Sequence, residues 1–350
     1  MKLPTSRAAC SISPQPSDIF VTFMDLLEDP MSTIEERLRQ QGSSFESGVE
    51  KYISYACDSS GKRLRPILAL LAGGATGNIS SEHSDLALIV ELIHIASLIH
   101  DDIMDGAVVR RDRPTLNATW GNGLTVLAGD ILFAHALRLA TRFSQSEICR
   151  RIADAAIGVC SGEMLQTERR FDLSLTLENY YRIVEMKTGS LFAVACELGA
   201  VLNEASPEVV SALKEYGNKV GTAYQLLDDC IDLLGDEATF GKTLGTDLSG
   251  GKFTLPILML LKAASHEEHN ALIKDLVTDA GVNREALVKA LLEQETFDAA
   301  VAEINQLLEQ AEVALEVLPE NDYVSGLRGM VIYLRGLAVS KISSFLNCSR

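Results

Sequence analysis

The chain has 350 residues, of which 47% are hydrophobic and 23% are charged, and its net charge is −17 at pH 7. This composition is typical of a globular protein with one large domain, and the negative charge argues against binding to nucleic acid or to an anionic membrane surface. The seven cysteines are scattered without a CxxC pair, so neither a disulfide framework nor a zinc site is expected. A reducing, cytoplasmic compartment is predicted.

The N-terminal segment divides into a tail and two helices. Residues 1–16 are rich in serine and proline and are predicted to be a disordered tail, whereas residues 17–350 are predicted to form a single domain. Apolar residues recur at helical spacing over residues 18–41 and 45–57, which predicts two amphipathic helices.

A basic segment precedes the next helix. In the sequence GKRLRP, Lys62, Arg63 and Arg65 come just before the apolar run from Ile67 to Leu71. Three cations at the mouth of a buried helix indicate an anion site. Basic residues at a helix start are nevertheless more often simply solvated, so this segment alone does not decide the question.

The central stretch is apolar on almost every side from Leu86 to Ile99, which is typical of a helix buried inside a bundle. It leads to three acids, Asp101, Asp102 and Asp105. On a helix, Asp101 and Asp105 lie about 40° apart around the axis and roughly one turn apart along it, so their carboxylates point the same way. Carboxylates crowded in this way suit Mg²⁺. A frayed helix end with solvated acids explains this motif alone equally well.

The same carboxylate spacing returns in the second half of the chain. Asp228, Asp229 and Asp232 end another long apolar helical run. Two such coincidences are improbable by chance, so one site built from both motifs is the better interpretation. Lys187, Thr188, Lys242 and Lys252 lie between and after the two motifs, as expected of a site that binds a diphosphate with metal ions and cations.

The rest of the chain is also helical in pattern. The helical period covers residues 116–143, 148–169, 176–202 and 206–234, and it resumes after Leu255 and continues to the end. No stretch shows sustained two-residue alternation, so the fold is predicted to be all-α. Residues 235–256 are rich in Gly, Thr, Asp and Lys and are predicted to form a functional loop. The GKT triplet in it is not a P-loop, because it follows a helix and not a strand.

Taken together, these motifs resemble those of the trans-isoprenyl diphosphate synthases, or polyprenyl synthetases, from about Gly61 to Leu258. Ser60 replaces the first glycine of the family's GGKRxRP, Asp112 stands where many members have glycine, and Tyr224 where many have phenylalanine. The resemblance implies a single large helical bundle of the isoprenoid synthase type around a central cavity. It also implies a homodimer, and no apolar stretch is expected to span a membrane.

The resemblance implies roles for individual residues. About three Mg²⁺ ions on the diphosphate of an allylic primer would be held by Asp101, Asp102, Asp105, Asp228, Asp229 and Asp232. Isopentenyl diphosphate would be bound by Lys62, Arg65, His94 and Arg111. The allylic diphosphate would be contacted by Arg110, Lys187, Thr188, Gln225, Lys242 and Lys252. The catalytic set would comprise the six aspartates and Lys187.

The implied reaction is a condensation that lengthens an allylic chain. Metal ions and cations stabilise the departing pyrophosphate, and the isopentenyl double bond attacks the resulting allylic carbocation. Ala96 and Ser97 lie about one turn before Asp101, and small residues there leave room for a tail in this family. A long-chain all-trans polyprenyl diphosphate of hexaprenyl to decaprenyl length is therefore expected, with Phe133 among the residues at the floor. Geranylgeranyl or farnesyl diphosphate is the alternative product.

Three other functions share some of these features. A terpene cyclase has the first aspartate motif but an Asn/Ser/Glu-type second motif. A metal phosphohydrolase built on His94, His100 and Asp101 leaves the second motif and the cations unexplained. A non-catalytic subunit of a heteromeric synthase would have lost aspartates or arginines, and none of the motif residues is missing.

Overall fold

The structure is a computed structural model that describes residues 24–234, 246–264 and 284–349. The predicted tail, residues 1–16, and the predicted diphosphate ligand Lys242 lie outside the described residues. The division into a tail and one domain stays a prediction.

The described residues are almost entirely helical, as predicted. In the first half the helices are α1 (Glu28–Arg39), α2 (Ser47–Cys57), α3 (Leu64–Thr76), α4 (Ser81–Met104), α5 (Leu116–Trp120), α6 (Asn122–Ala140) and α7 (Ser146–Glu168). In the second half they are α8 (Leu177–Val184), α9 (Ser190–Val201), α10 (Pro207–Leu234), α11 (Thr246–Ser249), α12 (Leu255–Ala263), α13 (Arg284–Glu293), α14 (Thr296–Ala314) and α15 (Asp322–Ser349). Short 3₁₀ turns cover Gln40–Ser44 and Leu315–Val317, and a π-helix covers Glu185–Gly189.

Five helices form the centre of the bundle. Helix α3 packs against α4 and α9, and α10 packs against α9 and α14. Every residue from Leu64 to Ala75 in α3 is buried, and α4 is buried on most sides from Leu86 to Ile99. Ser80 and His83 form a reciprocal capping box at the start of α4. With 24 residues, α4 runs about 36 Å through the core and ends at the first aspartate motif.

A small sheet that the sequence pattern did not predict follows the first aspartate motif in the chain. Strand β1 (Val109–Arg110) pairs antiparallel with β2 (Arg113–Pro114), and Arg111 and Asp112 form the two-residue turn. Both turn residues have positive φ, 51° and 59°. Hairpins of this length favour such turns, and glycine or aspartate tolerates the left-handed region. Asp112 therefore suits the second position of this turn.

Helix α6 is the most apolar long helix among the described residues. By length and composition alone it could cross a membrane, with a mean hydropathy of 1.4 over its most apolar window and 44% of that window buried. Asp130 and Arg138 lie on its exposed side, as in a helix at the surface of a bundle. The absence of a transmembrane segment stays a prediction.

Candidate active site

The first aspartate motif lies at the C-terminal end of α4, where each acid has a different environment. Asp102 is buried and accepts a hydrogen bond of 2.7 Å from Nε of Arg110. Asp101 lies 4.0 Å from Nζ of Lys187. Burial raises the pKa of Asp101 to about 6, and the carboxylates of Glu163 and Asp105 add to this against the opposing charge of Lys187. Buried carboxylates with raised pKa values fit a site that recruits additional positive charge.

The second motif lies at the end of α10 and is held by a chain of hydrogen bonds. Asp229 accepts hydrogen bonds from the hydroxyl of Tyr180 and from Nε2 of Gln225, the latter 2.8 Å long. The hydroxyl of Thr188 donates in turn to Oε1 of Gln225, also at 2.8 Å. Burial and the nearby Asp247 raise the pKa of Asp229 to about 7, despite the two donors. Asp228 is partly buried beside it.

The segment around α11 links the two motifs. The backbone N–H of Asp247 donates to Oδ2 of Asp232 at 3.2 Å. The ammonium of Lys252 lies 3.4 Å from the Asp247 carboxylate and 2.9 Å from that of Asp105. Burial alone would raise the pKa of Asp105, but Lys252, Lys187 and Arg170 outweigh it and lower that pKa. The structure therefore brings both aspartate motifs and Lys252 into one site.

Lys187 and Thr188 sit on the π-helix between α8 and α9, a type of helix that is frequent at functional sites. Nζ of Lys187 donates to Oε1 of Gln166 at 2.8 Å and forms an ion pair with Glu163. Burial lowers the pKa of Lys187, but the carboxylates of Asp101 and Glu163 outweigh it and the net shift is upward. The extra residue in the π-helix turns Lys187 toward α4 and α7, while Thr188 faces Gln225.

A second cluster of positive charge lies beside the first motif. Burial lowers the pKa of His94 well below its usual value, and four arginines near it act in the same direction: Arg65, Arg111, Arg110 and Arg63. The guanidinium of Arg65 lies over the ring of Phe192 at 4.6 Å, and its Nε is buried without a hydrogen-bond partner. Nη1 of Arg111 donates to the carbonyl of Ser60. A buried arginine donor left without a partner, as Nε of Arg65 is, is what an anion pocket requires.

The three cations of the GKRLRP segment differ in their surroundings. Arg63 is bound within the fold, with Nη1 2.8 Å from Glu91 and Nε 2.7 Å from Glu35. Lys62 is exposed, and its Nζ lies 5.7 Å from the ring centroid of Tyr333. Of the two predicted ligands in this segment, Arg65 therefore lies within the positive cluster and Lys62 lies at its outer side.

A cavity of about 280 Å³ extends from Asp101 between α4, α6 and α7. Its lining residues are Ser97, His100, Asp101, Met104, Phe133, Val159, Cys160, Glu163, Met164 and Thr167. Ser97 and Phe133 thus line the space that the sequence analysis associated with tail length. Ala96 is fully buried and does not line it, because neighbouring helical residues point about 100° apart. The chain-length role of Ala96 stays a prediction.

The donor set fits a hard divalent cation. All six predicted ligands are carboxylates, without histidine or thiolate, and Lys187 and Lys252 lie beside Asp101 and Asp105 of the first motif. Within the described ranges, no group of three His, Cys, Asp or Glu side chains is arranged to hold a metal ion by itself. Mg²⁺ is characteristically bound by one or two carboxylates together with water and substrate phosphates, so the two observations agree.

Several residues of the site were not identified from the sequence. Glu163 pairs with Lys187, Arg170 pairs with Asp105, Tyr180 binds Asp229, and Asp247 binds both Lys252 and Asp232. None of them stands in an aspartate-rich or basic motif of the kind used in the sequence analysis. Asp247 lies in the predicted functional loop of residues 235–256, whereas only closeness to the motifs in space marks the other three.

Comparisons with known proteins agree with this site. The sequence profile of the family described as polyprenyl synthetase matches residues 46–295. The chain is 34% identical to the short chain isoprenyl diphosphate synthase of Methanothermobacter thermautotrophicus, over 85% of this chain and 94% of that protein. It is also 34% identical to the octaprenyl diphosphate synthase of Haemophilus influenzae, over 86% of this chain and 92% of that protein.

A solved structure has the same fold. The polyprenyl synthase from Caulobacter crescentus CB15, complexed with calcium and isoprenyl diphosphate, superimposes with a TM-score of 0.84 at 30% identity, covering 91% of this chain and 97% of that one. The extent of the match to the family profile and to these relatives confirms the resemblance predicted from the motifs. The chain belongs to the polyprenyl synthetase family and is a prenyltransferase enzyme of the all-α isoprenoid synthase fold.

Proposed function

We propose that this enzyme condenses isopentenyl diphosphate with an allylic diphosphate primer and makes a long-chain all-trans polyprenyl diphosphate. The observation that carries the proposal is the presence of two separate places for a diphosphate. One is the paired aspartate site with Lys187 and Lys252, and the other is the positive cluster around Arg65 and His94. A cyclase handles one diphosphate, whereas a chain-extending enzyme binds two at once.

Mg²⁺ is the proposed cofactor, with about three ions bound by the six aspartates together with the primer diphosphate. When bound, the ions supply Lewis-acid stabilisation of the departing pyrophosphate. The all-oxygen donor set and the raised pKa values of Asp101 and Asp229 support this assignment. Calcium in the related Caulobacter structure is a second hard divalent cation and supports the same ligand class.

The protein's own groups position the reactants. Lys187 and Lys252 are placed to bind the oxygens of the primer diphosphate, which gain charge as the bond to carbon breaks. Arg65, Arg111 and His94, which lie close together, would hold the second diphosphate so that the isopentenyl double bond faces the allylic carbon. The new bond forms between these carbons, and the released pyrophosphate accepts the final proton.

The cavity beside Asp101 supports a long product. It begins at the small side chain of Ser97 and reaches the outer face of α7 at Cys160 and Met164, so a growing tail can extend beyond the pocket along that face. Relatives are named for octaprenyl and nonaprenyl products as well as for short chains. A shorter geranylgeranyl or farnesyl product is the alternative.

The decisive experiment incubates the purified protein with isopentenyl diphosphate alone, with a primer alone, and with both, at saturating Mg²⁺. We expect product only with both substrates, with lengths from hexaprenyl to decaprenyl by chromatography, and none after chelation. A cyclic product from primer alone would establish a cyclase. Inactivity in all three mixtures would favour a non-catalytic subunit, and a product ending at farnesyl or geranylgeranyl would establish the short-chain alternative.

A homodimer is proposed to cover the outer face of α6 and α7. Several large apolar side chains are exposed there, including Leu127 at 57%, Ile157 at 64% and Met164 at 73%. A stripe of this kind on neighbouring helices is typical of an interaction surface. Leu127→Glu should dissociate the dimer in sedimentation velocity, whereas Val313→Glu, which changes a 60% exposed valine on α14, should not. A monomeric wild type would contradict the proposal.

The compartment is proposed to be reducing and cytoplasmic. Within the described residues, Cys57, Cys149, Cys160, Cys196 and Cys230 are free thiols. Burial raises the pKa of Cys57 to about 12, which keeps that thiol inert. Thiol titration of the folded protein should find no disulfide.

A further inference from the structure

Arg170 lies at the primer site but belongs to none of the motifs that identify the family. It follows the end of α7 in the turn of residues 169–172. Its Nη2 lies 2.8 Å from Oδ1 of Asp105, on the same carboxylate that Lys252 approaches to 2.9 Å. Asp105 is therefore shared by two cations from two different segments of the chain.

The two segments are tied to each other. The N–H of Phe171 donates to the carbonyl of Gly251 at 2.8 Å, and the Phe171 ring packs directly on Gly251. Phe171 has a positive φ of 60° and Gly251 one of 77°. A side chain on Gly251 would place its Cβ 2.5 Å from the Phe171 ring. The backbone beside Arg170 is thus held in place against the backbone beside Lys252.

The guanidinium of Arg170 has hydrogen-bond donors that lack good partners in this arrangement. Beyond the bond to Asp105, Nη1 makes only a 3.4 Å contact with the carbonyl of Met104, and Nε is buried without a partner. A planar guanidinium offers five donors and pairs best with a carboxylate or phosphate through two parallel bonds. Arg170 makes one good bond and therefore retains donors for a second anion.

The Asp105 carboxylate cannot fully bind a metal ion and fully pair with Arg170 at the same time. If its oxygens bind a metal ion, they compensate the charge of Arg170 less well. The diphosphate that arrives with the metal ion supplies new negative charge at the same place. We propose that Arg170 is an additional binding residue for the allylic diphosphate, paired with Asp105 before the diphosphate binds and transferred to the diphosphate when it binds. This inference rests on the proposed function.

The test uses Arg170→Gln, Arg170→Lys and, as a matched control, Arg169→Gln. Arg169 is the neighbouring residue of the same turn and pairs with Asp172 at 2.7 Å, away from the aspartate site. Arg170→Gln should raise the KM for the allylic primer roughly tenfold to a hundredfold, the range of one charge-assisted bond, and leave the KM for isopentenyl diphosphate unchanged. Arg170→Lys should recover part of the loss, and Arg169→Gln should match the wild type.

A second measurement does not depend on turnover. Calorimetry with inorganic pyrophosphate and Mg²⁺ should show weaker binding by the same factor in Arg170→Gln and no change in Arg169→Gln. Pyrophosphate binding that is unchanged or tighter in Arg170→Gln would overturn the inference, because Arg170 would then only neutralise Asp105. Equal changes in both KM values with a lower Tm would also overturn it, in favour of a structural role. A wild type that binds pyrophosphate but does not condense the substrates would count against the proposed function and not against Arg170.

Discussion

Neighbouring cations in this protein have opposite roles because their partners differ. Arg63 is neutralised by Glu35 and Glu91, so its charge stabilises the start of α3 and is not offered to a ligand. Arg65, two residues later, is buried on Phe192 with an unpaired Nε. Leaving a buried donor unpaired costs about 1–3 kcal/mol, a cost that a bound diphosphate would remove. At the scale of the residue, a buried cation whose donors lack partners within the protein indicates a binding site.

Asp101→Asn should lower kcat by roughly a hundredfold to a thousandfold, since a lost metal ligand removes several kcal/mol of transition-state stabilisation. The fold should not suffer, because burial already makes the charged form of Asp101 unfavourable and raises its pKa to about 6. Steady-state kinetics and Tm measure the two effects. A variant with the wild-type rate, or a chelated wild type that remains active, would contradict the assignment.

His135 should make folding stability depend on pH. It is 4% exposed, its Nε2 lies 2.8 Å from Oε1 of Gln41, and its Nδ1 lies 3.0 Å from Nη2 of Arg138. The donor on Arg138 and the acceptor on Gln41 favour the neutral ring with its proton on Nε2. Burial, and then Arg138 and Arg142, lower the pKa of His135 to about 4.

The lowered pKa of His135 fixes the direction in which the free energy of unfolding changes with pH. An unfolded histidine protonates near pH 6.5, so between about pH 6.5 and 4 the unfolded chain binds the extra proton and the folded chain does not. The free energy of unfolding should therefore fall as pH drops through this window, by at most about 3 kcal/mol from His135. Urea unfolding at pH 7 and 4.5 should show a smaller fall in His135→Gln. Equal falls in variant and wild type would show that other groups carry the effect.

At the scale of the element, the π-helix is the part on which the site depends. It lies against α7 at Gly162, where an added Cβ would lie only 2.4 Å from the backbone nitrogen of Lys187. A glycine at this position lets α7 approach the π-helix closely enough for Glu163 and Gln166 to bind the Lys187 ammonium. The two elements thus position the cation together.

Gly162→Ala should therefore displace Lys187. We expect a loss of about 1–3 kcal/mol in the free energy of unfolding from overpacking, and a fall of about tenfold or more in kcat from misplacement of the ammonium. Gly158→Ala, one turn earlier on α7, is the control, because its nearest neighbour is the movable hydroxyl of Ser190 at 3.2 Å. If the two variants had similar kcat values, the position of Lys187 would not control the rate.

At the scale of the whole molecule, the tail cavity is built from three helices that are far apart in sequence. Ser97 on α4, Phe133 on α6 and Cys160 on α7 contribute its walls. The ring of Phe133 also stacks on His100, with centroids 5.9 Å apart. Under the proposed function, product length depends on how these helices pack and not on one motif.

Ser97→Phe should fill the cavity next to Asp101 and shorten the product, while early condensations continue because the ring lies below the reacting carbons. Phe133→Ala should enlarge the cavity and lengthen the product. Val313→Ala, on the exposed side of α14 outside the lining, should leave the distribution unchanged. Chromatography of the products with one primer tests all three, and an unaltered distribution in Ser97→Phe would show that the tail lies elsewhere.

The sequence by itself determined the helical class, the buried central helix and the two aspartate motifs. These features depend on periodicity and on residues close together in the chain, such as the apolar run from Leu86 to Ile99 and the spacing of Asp101 to Asp105. The hairpin of Val109 to Pro114 was missed because two-residue strands leave no alternation to detect. The confirmed family membership followed from the same local motifs.

Only the tertiary structure decided which charges are compensated within the fold and which face the site. It separated Arg63 from Arg65, placed Ser97 but not Ala96 on the cavity wall, and brought Glu163 and Arg170 to the aspartates. The physical reason is the short range of ion pairs and hydrogen bonds. Their energies depend on distances of a few ångströms between helices that lie tens of residues apart in the chain, and such distances are set by packing rather than by any local pattern.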